Sequence, residues 1–418
     1  MVFPFIRVSQ MMNNKEHQKK RNLFAAFAIF VAAGATVGIC GLVLSLANTV
    51  GGAPTPITAI EEDLPQEKPI PVLDPGGNTL SASVTSPASL PLSSVLGTHS
   101  AAVARVAVSE IGTNASTLHV VTGGQDNTVR VWSANEETAS VESKLLLHSS
   151  QVNALAPIAP KTETQSIRLA TGSGSGELKL WDVDAGSLIT TIADDGGRIL
   201  SMAASTEGTF VASGSSEGAL KVWPVEAIAD QKSQTNLRGR ALKSSGPDIT
   251  ALAYHPVDSK QLISGDADGT IQVWDTEQAR VSLTIAGTAA AEADPSISAL
   301  AISPDGRYLA SASDRFIYVW NLQTGRLTQK LAGHGQIVTD LAFSADGQVL
   351  ASSGYNQVVK TWNWMEADVL CTLSDEAGAV FSVAFAKEGK ALITGSEDGT
   401  VRAWDLSKDS NRACVGQS

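Results

Sequence analysis

The chain has 418 residues, 43% of them hydrophobic and 17% charged, which is enough apolar sequence to bury a large core and excludes disorder throughout. A formal net charge of −12 argues against a general nucleic-acid binder. The three cysteines, Cys40, Cys371 and Cys414, lie far apart, which excludes a disulfide framework or a CxxC zinc site.

Residues 1–22 carry Arg7, Lys15, Lys19, Lys20 and Arg21 against Glu16 alone. An uncharged apolar run, 23–47, follows. As a helix it would extend about 37 Å, enough to cross a hydrocarbon core of about 30 Å. Ser45-Leu46-Ala47 leaves a cleaved signal peptide as the alternative, but the run is longer than the usual signal core, so an uncleaved transmembrane helix is expected. The positive-inside rule then places residues 1–22 in the cytosol and everything after Ala47 on the periplasmic or lumenal side. Residues 48–88 hold Pro54, Pro56, Pro65, Pro69, Pro71, Pro75 and Pro87 with many Ser and Thr, the composition of a semi-extended tether.

The rest of the chain repeats. Seven tryptophans, Trp132, Trp181, Trp223, Trp274, Trp320, Trp362 and Trp404, recur at spacings of 42 to 51 residues. Ten residues before six of them stands Thr122, Thr171, Ser213, Ser264, Ser352 or Thr394; Ser311 stands nine before Trp320, so the fifth turn is one residue shorter. Six residues before each Trp comes a turn residue: Asp126, Ser175, Glu217, Asp268, Asp314, Asn356 and Asp398. Each unit reads as four short strands. In the fifth these are 297–302, 307–311, 316–320 and 326–331, and Ser303-Pro304-Asp305-Gly306 makes the first turn.

These units resemble WD40 repeats, and residues 89–407 resemble a seven-bladed WD40 β-propeller with an 11-residue tail, 408–418. The expected fold class is therefore all-β. Trp181-Asp182, Trp274-Asp275 and Trp404-Asp405 keep the family's dipeptide, whereas Trp132-Ser133 and Trp223-Pro224 depart from it. The resemblance implies a hydrogen-bond network of His, turn acid, strand hydroxyl and Trp: His99, Asp126, Thr122 and Trp132 in blade one, and His334, Asn356, Ser352 and Trp362 in blade six. His148 fills the same position in blade two, and blades three, four, five and seven lack the His. Little sequence follows Asp405, so the segment 90–96 is expected to close the ring as the outer strand of blade seven, with Pro91 tolerated on that edge.

Chemistry is sparse. The Ser, His and Asp of the repeats serve the blades rather than a hydrolase triad. Gly172-Ser173-Gly174-Ser175-Gly176 lacks the Lys of a phosphate loop and sits at a repeated turn. Asp266-Ala267-Asp268-Gly269 mimics the start of a calcium loop, but Ile271 stands where that loop needs Gly for its sharp turn. No catalytic residue, cofactor or metal is expected. Cys371 and Cys414 read as two unpaired small apolar residues, with pairing as the alternative in an oxidising compartment.

The candidate function lies on the surface. In proteins of the resembled family, the turns before the Trp strand and the loops between blades share a docking face. Here those loops carry Asp194, Asp195, Glu292, Asp294, Asp375 and Glu376, an acidic rim suited to a basic partner. Arg315 and Gln357 stand where other turns have Gly, and Phe316 and Tyr355 lie beside them as candidate anchors. A second, basic contact is considered at Arg238, Arg240 and Lys243, in the long connection of blade three. The expectation is a membrane-tethered scaffold without catalysis, holding a protein partner on the extracytoplasmic side. The alternative is a ligand-binding or enzymatic propeller that uses the central channel, where Asp340 and Arg105 are the polar exceptions among small apolar residues.

Overall fold

The computed structural model describes residues 93–109, 117–135, 140–160, 166–193, 197–229, 239–243, 246–286, 295–374, 378–386 and 389–406. The predicted membrane helix, tether and tail lie outside these residues. Among the described residues no helix is long and apolar enough to cross a membrane.

Seven four-stranded antiparallel sheets form a propeller. Six are built from consecutive strands, with inner strands Val103–Ser109, Val152–Ile158, Ile199–Ala204, Ile249–Tyr254, Ile297–Ile302 and Val338–Phe343 opening blades one to six. Blade seven takes Val380–Ala386, Ala391–Ser396 and Thr400–Asp405 from the end of the chain and Ser93–Thr98 from before blade one. This closing strand pairs antiparallel with the third strand, Ser93 opposite Trp404 and Thr98 opposite Thr400. It overlaps the expected segment 90–96 from Ser93 to Leu96 and runs on to Thr98. Closure pairs the edge that Thr400–Asp405 would otherwise expose.

The second strands are short runs of small and branched residues, buried on both faces between neighbouring sheets, whereas the inner strands alternate buried and half-buried residues. Core clusters therefore lie between blades. Ala351, Val359 and Cys371 of blade six, for example, pack with Val380, Leu392 and Trp404 of blade seven. The eighth tryptophan, Trp364, also lies between blades, with its ring 4.8 Å from that of Tyr308 and its Nε1 donating to the Gly347 carbonyl.

Two sequence readings need correction here. The long connection of blade three is not an open basic loop. It contains a one-turn helix, Val225–Ala229, and returns as the outer strand Arg240–Lys243. Arg240 donates to the carbonyls of Thr276 and Glu277 in blade four, and Lys243 lies 3.8 Å from buried Asp266. These cations join two blades; Arg238 is outside the described residues. Cys371 is not unpaired: it is disulfide-bonded, to a partner outside the described residues.

Candidate functional site

All seven repeat tryptophans do the same thing. Each indole Nε1 donates to the strand hydroxyl predicted for it: Trp132 to Thr122, Trp181 to Thr171, Trp223 to Ser213, Trp274 to Ser264, Trp320 to Ser311, Trp362 to Ser352 and Trp404 to Thr394, at 2.8–3.0 Å. A buried indole N–H needs such an acceptor, and the antiparallel register supplies it on the diagonal: Val120 lies opposite Trp132, and Thr122 stands two residues further along the same face.

In blade one the relay is complete. The Thr122 hydroxyl lies 2.7 Å from His99 Nε2, and His99 Nδ1 lies 3.0 Å from the Asp126 carboxylate. Burial disfavours the Asp126 charge, but hydrogen bonds from His99, Thr128 and the Ser100 amide outweigh it and hold this carboxyl far below its usual range. In blade six Asn356 replaces the acid, at 2.9 Å from His334 Nδ1, and Ser352 is 2.7 Å from Nε2. Burial keeps His334 below the ordinary imidazole range. Blade two stops one link short. His148 Nε2 meets Thr171 at 2.6 Å, but Nδ1 has no partner among the described residues, because Ser175 bonds Ser173 instead. Burial first, and then Lys179, push His148 down to about 4.

Antiparallel pairing puts the second-to-third-strand turns and the connections between blades at one end of the disc. A repeated backbone bond ties them together: Gln125 to Ala102, Gly174 to Gln151, Ser216 to Arg198, Ala267 to Asp248, Tyr355 to Ile337 and Glu397 to Ala379, amide to carbonyl, at 2.8–3.0 Å. Tyr355 and Gln357 lie on this face and are exposed; Gln357 has φ 64°, so it stands in the left-handed region that glycine fills at Gly176, Gly218, Gly269 and Gly399. Asn127 does the same in blade one, with φ 65°. Arg315 does not occupy the glycine place. The fifth turn has only Asp314 and Arg315 between paired Ser313 and Phe316, and Asp314 carries the positive φ, 51°.

The four turn candidates separate into two groups. Phe316 is half-buried, with Lys330 Nζ 3.7 Å and Arg315 Cζ 5.1 Å from its ring centroid, so its face is already covered by cations of its own blade. It is not the open anchor expected from sequence. Tyr355 is 48% exposed and packs edge-on against Phe381 of blade seven, with ring centroids 5.6 Å apart. Phe381 was missed in the sequence, because it sits in an inner strand and reads as core. The acidic-rim residues Asp194, Asp195, Glu292, Asp294, Asp375 and Glu376 all lie outside the described residues.

The channel exceptions are used internally. Asp340 Oδ2 accepts from the Ser382 hydroxyl at 2.6 Å and from the Val383 amide at 3.1 Å, and Oδ1 from the Leu341 amide at 2.9 Å. Burial raises this carboxyl, opposed by Arg105 of blade one and by these bonds. Ser382 in turn accepts from the Val106 amide at 3.0 Å, so the cluster links blades six, seven and one. No group of three His, Cys, Asp or Glu that could hold a metal ion exists among the described residues.

A family model described as "WD domain, G-beta repeat" matches residues 91–133, 186–224, 232–275, 287–321, 325–363 and 368–405. It leaves 134–185 unmatched, which includes the first three strands of blade two, yet that blade is a complete sheet. The chain is 27% identical over 246 residues to "Protein LST8 homolog" of Drosophila melanogaster, covering 56% of this chain and 72% of that protein. It is 26% identical over 253 residues to "Target of rapamycin complex subunit LST8" of Bos taurus, covering 58% and 71%. Over 197 residues it is 27% identical to "Autophagy-related protein 16" of Arabidopsis thaliana, covering 47% of this chain and 36% of that protein. With six matched segments and a seventh sheet sharing their geometry, the chain belongs to the WD40 repeat family.

Proposed function

We propose that this protein is a non-catalytic docking scaffold, tethered to a membrane by residues 23–47, with its propeller on the extracytoplasmic side. One observation carries the docking reading. The polar groups that resemble catalytic sets, including His99, Asp126, Thr122 and Asp340, spend their bonds inside and between blades, which leaves the exposed turn face as the place for recognition. Two further findings support it: one relative is by its printed name a subunit of a complex, and the turn face carries repeat-breaking side chains. The extracytoplasmic side is supported by the charge asymmetry about residues 23–47 and by the disulfide at Cys371, a bond that persists in oxidising compartments.

The test is a crosslinked pull-down from detergent-solubilised membranes, comparing the wild-type chain with Arg315→Ala/Tyr355→Ala. A protein recovered by the wild type and lost by the variant supports the scaffold. A protein retained by both moves the contact off these turns, and absence of any specific partner overturns the reading. Protease added to intact cells with a permeabilised outer envelope should degrade the propeller; full protection would overturn its placement. A mature N-terminus near Asn48 would replace the anchor with a cleaved signal.

A further inference from the structure

Every inner strand carries a one-residue bulge just after its first buried residue, and the residue in the bulge is Ala104, Asn153, Leu200, Thr250, Ser298, Thr339 or Phe381 in blades one to seven. A bulge re-aims the side chain of its extra residue. In four blades that side chain bonds the next blade: Asn153 to the Ile199 carbonyl, Thr250 to Ile297, Ser298 to Val338 and Thr339 to Val380, at 2.5–3.0 Å. Ala104, Leu200 and Phe381 cannot make this bond, and Phe381 alone puts a ring there, half-buried. Tyr355 departs from its own series as well, standing where the other turns have Gln125, Gly174, Ser216, Ala267 and Glu397. The two departures lie in different blades, yet their rings touch.

A third group completes the set. Glu397, the blade-seven counterpart of Tyr355, is exposed and turns one carboxylate oxygen to the Ala379 amide at 3.2 Å, leaving further acceptor capacity. Its charge is felt at the Tyr355 hydroxyl, which burial and then Glu397 raise above the ordinary range. Among the described residues no Lys or Arg stacks on Tyr355 or Phe381, whereas the aromatic cluster of blade five is covered by its own Lys330 and Arg315. Two touching rings, and a carboxylate held at the Ala379 amide two residues before Phe381, are the groups that complement a cation: the ring quadrupole attracts it and the carboxylate neutralises it.

We infer that Tyr355, Phe381 and Glu397 form a receptor for a lysine or arginine side chain of a protein partner, at the junction of blades six and seven. The inference rests on the docking reading and adds the partner's chemistry to it. The chain's net charge of −12 favours the approach of such a partner.

The test uses the purified full chain, panned with a random 12-residue peptide library, and the affinities of recovered peptides measured by fluorescence anisotropy. Two variants restore residue types that the repeat uses elsewhere, Phe381→Thr and Tyr355→Ser; unfolding midpoints equal to or above that of the wild type verify that both fold. Glu397→Gln removes the charge alone. Recovered peptides should share a Lys or Arg. Replacing that residue with norleucine or citrulline, or introducing any of the three variants, should weaken binding about tenfold. Added salt should weaken the wild type more than Glu397→Gln. Peptides that lack a required cation, or that bind the variants as tightly as the wild type, overturn this site and leave the docking reading standing. Failure to recover any peptide overturns both.

Discussion

At the scale of single residues, the difference between blades one and two is one missing oxygen acceptor. Asp126 receives His99 Nδ1, whereas Ser175 leaves His148 Nδ1 without a partner among the described residues. His148 in the fold is pushed down to about 4 by burial and Lys179, against about 6.5 when unfolded. The folded state therefore binds fewer protons between these values. Its contribution to stability is full above pH 6.5 and is lost as pH falls toward 4, reaching about 3 kcal/mol. Urea unfolding followed by tryptophan fluorescence should show this decline, and Ser175→Asp should flatten it and add about 1 kcal/mol at neutral pH. An unchanged pH profile in the variant would show that no bond forms. The same scale holds the strain at Gln357, whose φ of 64° suits glycine. Gln357→Gly should stabilise the protein by about 1 kcal/mol, read as a rise in the urea midpoint.

At the scale of elements, the sequence made the Trp and hydroxyl pairs legible, because in an antiparallel hairpin a fixed spacing is a fixed neighbour. Strands of the fifth blade were placed to within two residues for the same reason. Legibility ended where the neighbour comes from another blade. Tyr355 and Phe381 are separated by 26 residues, and no spacing rule pairs a turn with a bulge; Phe381 carries no sign in the sequence beyond being apolar. The shortened turn shifted positive φ from Arg315 to Asp314, since a two-residue connection leaves no separate glycine place. The closing strand was legible from what the last blade lacked. Its fit is tight: a Cβ on Gly97 would stand 2.1 Å from the buried Trp132 ring. Gly97→Ala should therefore cost about 1–3 kcal/mol, lowering the unfolding midpoint, whereas Gly335→Ala, in open space, should not.

For the whole molecule, the disulfide at Cys371 offers a check on the proposed extracytoplasmic placement. Only three cysteines exist, so with Cys371 bonded, titration of the unreduced, denatured chain should find one free thiol, and three after reduction. Three free thiols without reductant would remove the support that the bond lends to an extracytoplasmic propeller. Sequence could not decide this pairing, because cysteine proximity depends on how blade six meets the chain outside it. The buried environment of Cys371, among Val359, Leu373 and Trp404, looks equally suited to a small apolar side chain.

The closing strand has one more consequence, a mechanical one. Within the ring, Ser93–Thr98 is joined covalently only on its Thr98 side, through His99 to blade one, while its hold on blade seven is the ladder to Thr400–Trp404. Tension applied to the chain before Ser93 is borne first by that ladder. Its yielding would peel one strand from blade seven while the other blades stay strung on an unbroken backbone, and would uncover the edge of Thr400–Asp405. A pull at the N-terminal side would thereby expose a strand edge at one defined seam, within the very blade that carries Phe381 and Glu397.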